Sequence, residues 1–226
     1  IEELENLSGI SRKLEALPTE ADLARMAIEG QKLTRPEISV IMSHTKLLVT
    51  QMLAQDNIVD DPALLPLLHE YFPAAIVKKY PEAVNNFALK QQLVAMLLAN
   101  AIVNQASVYM PTWLSDRTGL GYADIARSFV IANALFEFEK HWNAVQALEN
   151  VPSEVQQQLL IELLQHTDRS LPWFLNQNEL LRDISGTIAR YQPHFVKLSD
   201  NILSLVPPER RHARNNPEQR LIADGG

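Results

Sequence analysis

After Thr34 the apolar residues Ile38, Ile41, Met42, Leu48, Val49 and Met52, with Thr45 among them, recur at intervals of three and four. That is the stripe of a helix with one face turned inward. Val40 and Leu47 add apolar surface on another side, so the spacing predicts a helix touched by neighbours from two directions. Its start is specified several times over. Thr34 and Glu37 stand at the two positions of a capping box, and Leu33 and Ile38 at those of a hydrophobic staple. Pro36 falls in the first turn, where a missing amide costs no helical bond.

The same grammar recurs along the chain. Thr19 precedes "EADLARMAIEG", closed by Gly30, and Asp61-Pro62 precede "ALLPLLHEYF". Pro111 marks a start around "TWLSDRTG", and Tyr122-Ala123-Asp124 one for "IARSFVIANALFEFEKHWNAVQAL", read as a single helix. Pro152-Ser153 open "EVQQQLLIELLQHTDRSLPWFL", expected to bend or end near Pro172, and a helix over 183–205 is expected to be interrupted or kinked at Pro193. The stretch from Phe87 to about Ala106 is apolar nearly all round and is expected to be the most buried helix. "SVYM" and "AAIVKK" are too short for strands and lack hairpin turns, and no solenoid-type repeat is visible. The expected fold is all-α, a bundle or array of about eight to ten helices with no sheet.

Composition agrees: 7 glycines in 226 residues and 46% hydrophobic content suit a helical chain with a real core. A net charge of −7 disfavours nucleic acid and anionic membrane surfaces as partners, since both repel negative charge. The absence of cysteine removes disulfides, thiolate metal sites and cysteine nucleophiles, and fits a reducing, cytoplasmic setting. The longest apolar run, Leu93 to Val103, is shorter than the roughly 20 residues of a membrane span and contains Asn100. The chain opens at Ile1 without Met or a secretion leader, and "IEELENL" reads as the end of a preceding helix, so a piece of a longer polypeptide is expected. Residues 1–206 are expected to form the domain and 207–226, rich in Pro and Arg, a mobile tail.

Local chemistry is sparse. "TGLGYAD" (118–124) has two glycines of a dinucleotide loop but no third and no preceding strand, so a helix-to-helix turn is expected. Glu137/His141 and Glu162/His166 are pairs at four-residue spacing, whereas bundle metal sites use Glu and His three apart. The pairs can meet in space, but exposed intrahelical pairs are common. His69-Glu70 lacks the second histidine of a zinc protease, Pro73 standing there instead. Asn100 and Asn104, one turn apart, are expected to form a hydrogen-bonded polar seam between helices or, less readily, a ligand seam. Arg35 is read as exposed, with an interface ion pair as the alternative, and Arg210, Arg211 and Arg214 as a solvated cluster. No catalytic, cofactor-binding or metal-ligating residue is assigned.

"GQKLTRPEISVIMSHTKLLV" (30–49) resembles a segment near the C-terminus of the large bacterial NAD-specific glutamate dehydrogenases. Collinear resemblances follow in "LEALPTEADLARM", "DDPALLPLLHEYFP", "LLANAIVNQAS", "TGLGYADIARSFVIANALF" and "DISGTIARYQP", covering about residues 12 to 195. The resemblance implies a C-terminal helical domain, structural or regulatory. It would pack on an upstream catalytic domain or a neighbouring subunit of a homo-oligomer that oxidatively deaminates L-glutamate to 2-oxoglutarate and ammonium with NAD. That family's dinucleotide loop and catalytic lysine lie upstream, so no site residue carries over and the fragment alone is expected to be inactive. The alternative is a stand-alone helical interaction module without catalytic activity.

Overall fold

In a computed structural model that describes the backbone of residues 1–205, thirteen α-helices follow one another and no strand forms among the described residues. They are α1 (Glu2–Ser8), α2 (Glu20–Ile28), α3 (Arg35–Leu53), α4 (Leu65–Tyr71), α5 (Ala74–Lys79), α6 (Pro81–Asn85) and α7 (Lys90–Gln105). After these come α8 (Met110–Thr118), α9 (Tyr122–Phe136), α10 (Phe138–Gln146), α11 (Ser153–Leu175), α12 (Asn178–Leu181) and α13 (Ile184–Leu205). The class is the expected one. The number exceeds eight to ten because short helices fill the connections and one expected helix is two. The tail expected at 207–226, with Arg210, Arg211 and Arg214, lies outside the described residues.

Local signals account for most boundaries. The Glu37 carboxylate accepts from the Thr34 N–H at 2.5 Å and the Thr34 hydroxyl at 2.6 Å, so the reach-back half of the box holds the start of α3. Those bonds also hold the Glu37 carboxyl below its ordinary range. At α2 both halves form: Asp22 N–H donates to the Thr19 hydroxyl at 3.2 Å and Thr19 N–H to the Asp22 carboxylate at 3.1 Å. Gly119, at φ +69°, closes α8 in the left-handed conformation that glycine adopts without strain, which makes "TGLGYAD" the expected turn between two helices. Residues 2–8 are helical and stop at Gly9.

One boundary differs from expectation. The segment read as one helix over 125–148 breaks at Glu137, whose φ is +52°. Asn133 holds the break: its carbonyl accepts from the Glu137 N–H and its side-chain oxygen from the Glu139 N–H at 2.8 Å. Of the alternatives expected at the two prolines, an end at Pro172 and an interruption at Pro193 do not occur: α11 and α13 continue through them, each helix tolerating one lost amide.

The core is organised around α7 and α9. Helix α3 packs along α7 and also meets α1 and α9, while α9 carries α11 and α13 on its other sides. Helix α7 buries Leu93, Val94, Leu98 and Ile102 as its composition predicts, and α9 is its equal, with Phe129, Ile131 and Ala132 fully enclosed. Two predicted features of α3 divide. Thr45, Leu48, Val49 and Leu53 are buried, and on the second side Val40 packs against the core while Leu47 is 57% exposed. A long connection ties α1 to this centre: the Tyr122 hydroxyl donates to Glu3 Oε1 at 3.1 Å. Burial pushes both groups up, the tyrosine far above its ordinary range. No single helix among the described residues is long and apolar enough to cross a membrane.

Candidate functional site

The break at Glu137 turns the chain away from the core, and α10 and the first half of α11 then run against each other. Between them lies a groove of about 630 Å³ lined by Phe138, Val145, Leu159 and Leu163, with His141, Glu162 and His166 as its polar groups. An apolar concavity of that size with a few polar groups has the character of a binding site. Aromatic rings close its inner end. Phe136 and Phe138 stack at 5.3 Å, and the His166 ring stands edge-on to both, 5.5 Å and 5.2 Å away. Phe195 of α13 meets Phe136 at 5.0 Å on the far side, where a second cavity of about 210 Å³ begins.

The two Glu/His pairs thus converge in part. His141, Glu162 and His166 share the groove, whereas Glu137 sits on the adjoining cavity with its carboxylate 2.9 Å from Lys140 Nζ. The Lys140 hydrogen bond holds the Glu137 carboxyl below its ordinary range. Among the described residues no three His, Asp or Glu side chains are arranged to hold a metal ion.

The predicted asparagine seam is corrected by the structure. Asn100 is half-buried and Asn104 exposed, on the stripe of α7 that also exposes Met96. Positions 96, 100 and 104 share one helical face, and here that face is the one turned from the core. His69 Nε2 lies 2.7 Å from Asn85 Oδ1, a link between α4 and α6. Arg35 is exposed.

Two polar centres escaped sequence reasoning. Asp168 accepts from the Ser107 N–H at 3.0 Å and from the Ser107 hydroxyl, clamping α11 to the α7–α8 turn. Burial pushes the Asp168 carboxyl up against the opposing effect of those bonds. Arg127 donates to Asp124 at 3.0 Å, Asp56 at 2.6 Å and Asn57 at 2.8 Å, joining α9 to the turn after α3. It borders a polar cleft of about 620 Å³ that also contains Asp60, Asp61, Asn178 and Arg182. The Asp124/Arg127 spacing was legible as a helical pair, but nothing near Asp56 or Ser107 announces a partner 71 or 61 residues away.

Comparisons with known proteins extend the picture. A family model described as "Glutamate dehydrogenase, C-terminal" matches residues 30–226, running beyond the stretch near residue 195 where the sequence motifs end. The NAD-specific glutamate dehydrogenase of Halomonas elongata is 32% identical over all of this chain, which covers 14% of that protein. The protein of the same name from Pseudomonas aeruginosa is 29% identical over 90% of this chain and 13% of its own length. For that of Mycobacterium tuberculosis the figures are 27%, 81% and 11%. The chain therefore spans between 11% and 14% of the length of these curated relatives.

Proposed function

The chain belongs to the glutamate dehydrogenase C-terminal family, and from that premise we propose that it is the helical C-terminal domain of a large NAD-dependent glutamate dehydrogenase. The polypeptide containing it oxidatively deaminates L-glutamate to 2-oxoglutarate and ammonium, passing hydride to NAD. The observation that carries this reading is a match over 81–100% of the chain to relatives of that name which are seven or more times longer. Catalysis and NAD binding belong to the upstream part, and this domain serves as scaffold and regulatory element, packed on the catalytic part of a cytoplasmic homo-oligomer.

The fold supports that division of labour. A dinucleotide pyrophosphate is held at a tight glycine turn between a strand and a helix. The described residues offer helix-to-helix turns, and the one glycine-rich turn, 118–124, uses Gly119 to end α8. The groove beside α10 is apolar and suits packing better than hydride chemistry. Incubation of the isolated chain with L-glutamate and NAD is expected to give no NADH absorbance above the blank, and measurable turnover would overturn the assignment. A native reading frame of about this length would favour the stand-alone interaction module instead.

A further inference from the structure

Between Phe138 and Thr167 no residue is buried, although the helices there carry a full apolar stripe. Trp142, Val145, Leu159 and Leu163 are only partly covered, and Leu148 and Ile161 are 42% and 47% exposed. The groove between α10 and α11 is nonetheless built at both ends. Gln156 Nε2 donates to the Val145 carbonyl at 2.9 Å and fixes the outer end, while the Phe138–His166 contact fixes the inner one. From Gln156 to His166 the wall is about 15 Å long, nearly three helical turns.

The charge of this arm is one-sided. Residues 137–166 hold Glu137, Glu139, Glu149, Glu154 and Glu162 against Lys140, a net −4 out of the chain's −7. A second copy of the arm would bring the same charge, and an anionic membrane would repel it. An apolar trough with Glu162 in its lining, on an arm of net negative charge, fits an amphipathic helix whose apolar ridge, spaced i, i+3, i+4 and i+7, is flanked by lysine or arginine. The source follows from size: relatives of this chain are seven or more times its length, and the family match includes the arm. We propose that the α10–α11 groove is the docking surface for a basic amphipathic helix from the part of the polypeptide outside this chain. This rests on the proposal that the chain is a domain of a larger dehydrogenase, and it names the face through which the domain is held.

The test compares amide exchange over residues 155–164 in the 226-residue chain and in the intact long polypeptide. Exchange at least tenfold slower in the intact protein is expected, returning toward the isolated rate in the Leu159→Glu/Leu163→Glu variant. The circular dichroism of that variant in the isolated chain stays that of the parent chain, because neither side chain is buried. Equal rates in the two proteins would overturn the inference. So would slow exchange already present in the short chain, which would assign the cover to the chain's own residues or, if dilution reverses it, to a second copy. If the native reading frame proves no longer than this chain, the domain assignment fails by that fact alone. The groove is then probed directly with an 18-residue leucine–lysine helix and its leucine–glutamate counterpart. At least tenfold tighter binding of the lysine peptide supports a basic helix as occupant, and equal or absent binding overturns it.

Discussion

Helix α9 and the arm of α10 and early α11 are consecutive in the chain and alike in pattern, yet they end in opposite environments. In α9 eight of fifteen residues are buried, and Phe129 and Ile131 are enclosed on every side. From Glu139 to His166, a stretch richer in leucine and valine, none is. The difference is one of neighbours. Helix α9 meets α3, α7, α8, α11 and α13, whereas α10 has α11 and the end of α9. Apolar periodicity states which face of a helix seeks cover; whether cover arrives depends on what else the chain folds against it.

That contrast is broken most directly by truncating one side chain in each region. Phe129→Ala is expected to cost about 3–5 kcal/mol, since the site is enclosed and cannot collapse around the cavity. Leu163→Ala, half-buried in the open groove, is expected to cost about 1 kcal/mol or less in the isolated chain. Denaturant midpoints for the two variants give the comparison, and equal losses would mean that the arm is as much core as α9.

A middle-sized effect belongs to Asp168, on α11 one residue beyond the first buried position, where the uncovered half of the helix gives way to the packed half. Asp168→Ala leaves the Ser107 N–H and hydroxyl without their acceptor and is expected to cost about 1–3 kcal/mol. Its carboxyl titrates above 3.8 in the folded chain, so between that ordinary value and the raised one the folded state binds the proton more readily. This group therefore favours folding as the pH falls through the window and opposes it as the pH rises. Asp168→Asn is expected to flatten that part of the stability profile, read from thermal melts at successive pH values.

The smallest effect is expected at the junction of the two regions. Glu137 adopts φ +52° with a side chain that disfavours it. Glu137→Gly is expected to raise the melting temperature by a few degrees at most, and Glu137→Val to lower it. A fall on glycine substitution would show that the Lys140 ion pair outweighs the backbone conformation at the break.

How much of this was legible can be followed residue by residue. Thr34, Pro36 and Glu37 announced the start of α3 to the residue because capping is local chemistry, and an apolar surface nearly all round announced the burial of α7. The break at Glu137 was not legible: no glycine or proline marks it, and its support from Asn133 involves a side chain that serves as well within a helix. Pro172 and Pro193 do not end their helices, since the lost hydrogen bond is absorbed by packing that only the tertiary structure supplies. At the groove, four-residue spacing put His141 and Glu162 each on a definable helical face, and the meeting of those faces required the turn at 147–152. Asp168 and Arg127 depended on partners too distant in sequence for any local rule.

The Tyr122–Glu3 hydrogen bond spans 119 residues, and its consequence is an order of events. Helix α1 also packs on α3, much nearer in sequence, so its docking joins a near partner to a distant one, and the distant bond is made only once α9 is in place to receive it. That bond, rather than the presence of α1, therefore reports that α9 and the N-terminal helices have come together.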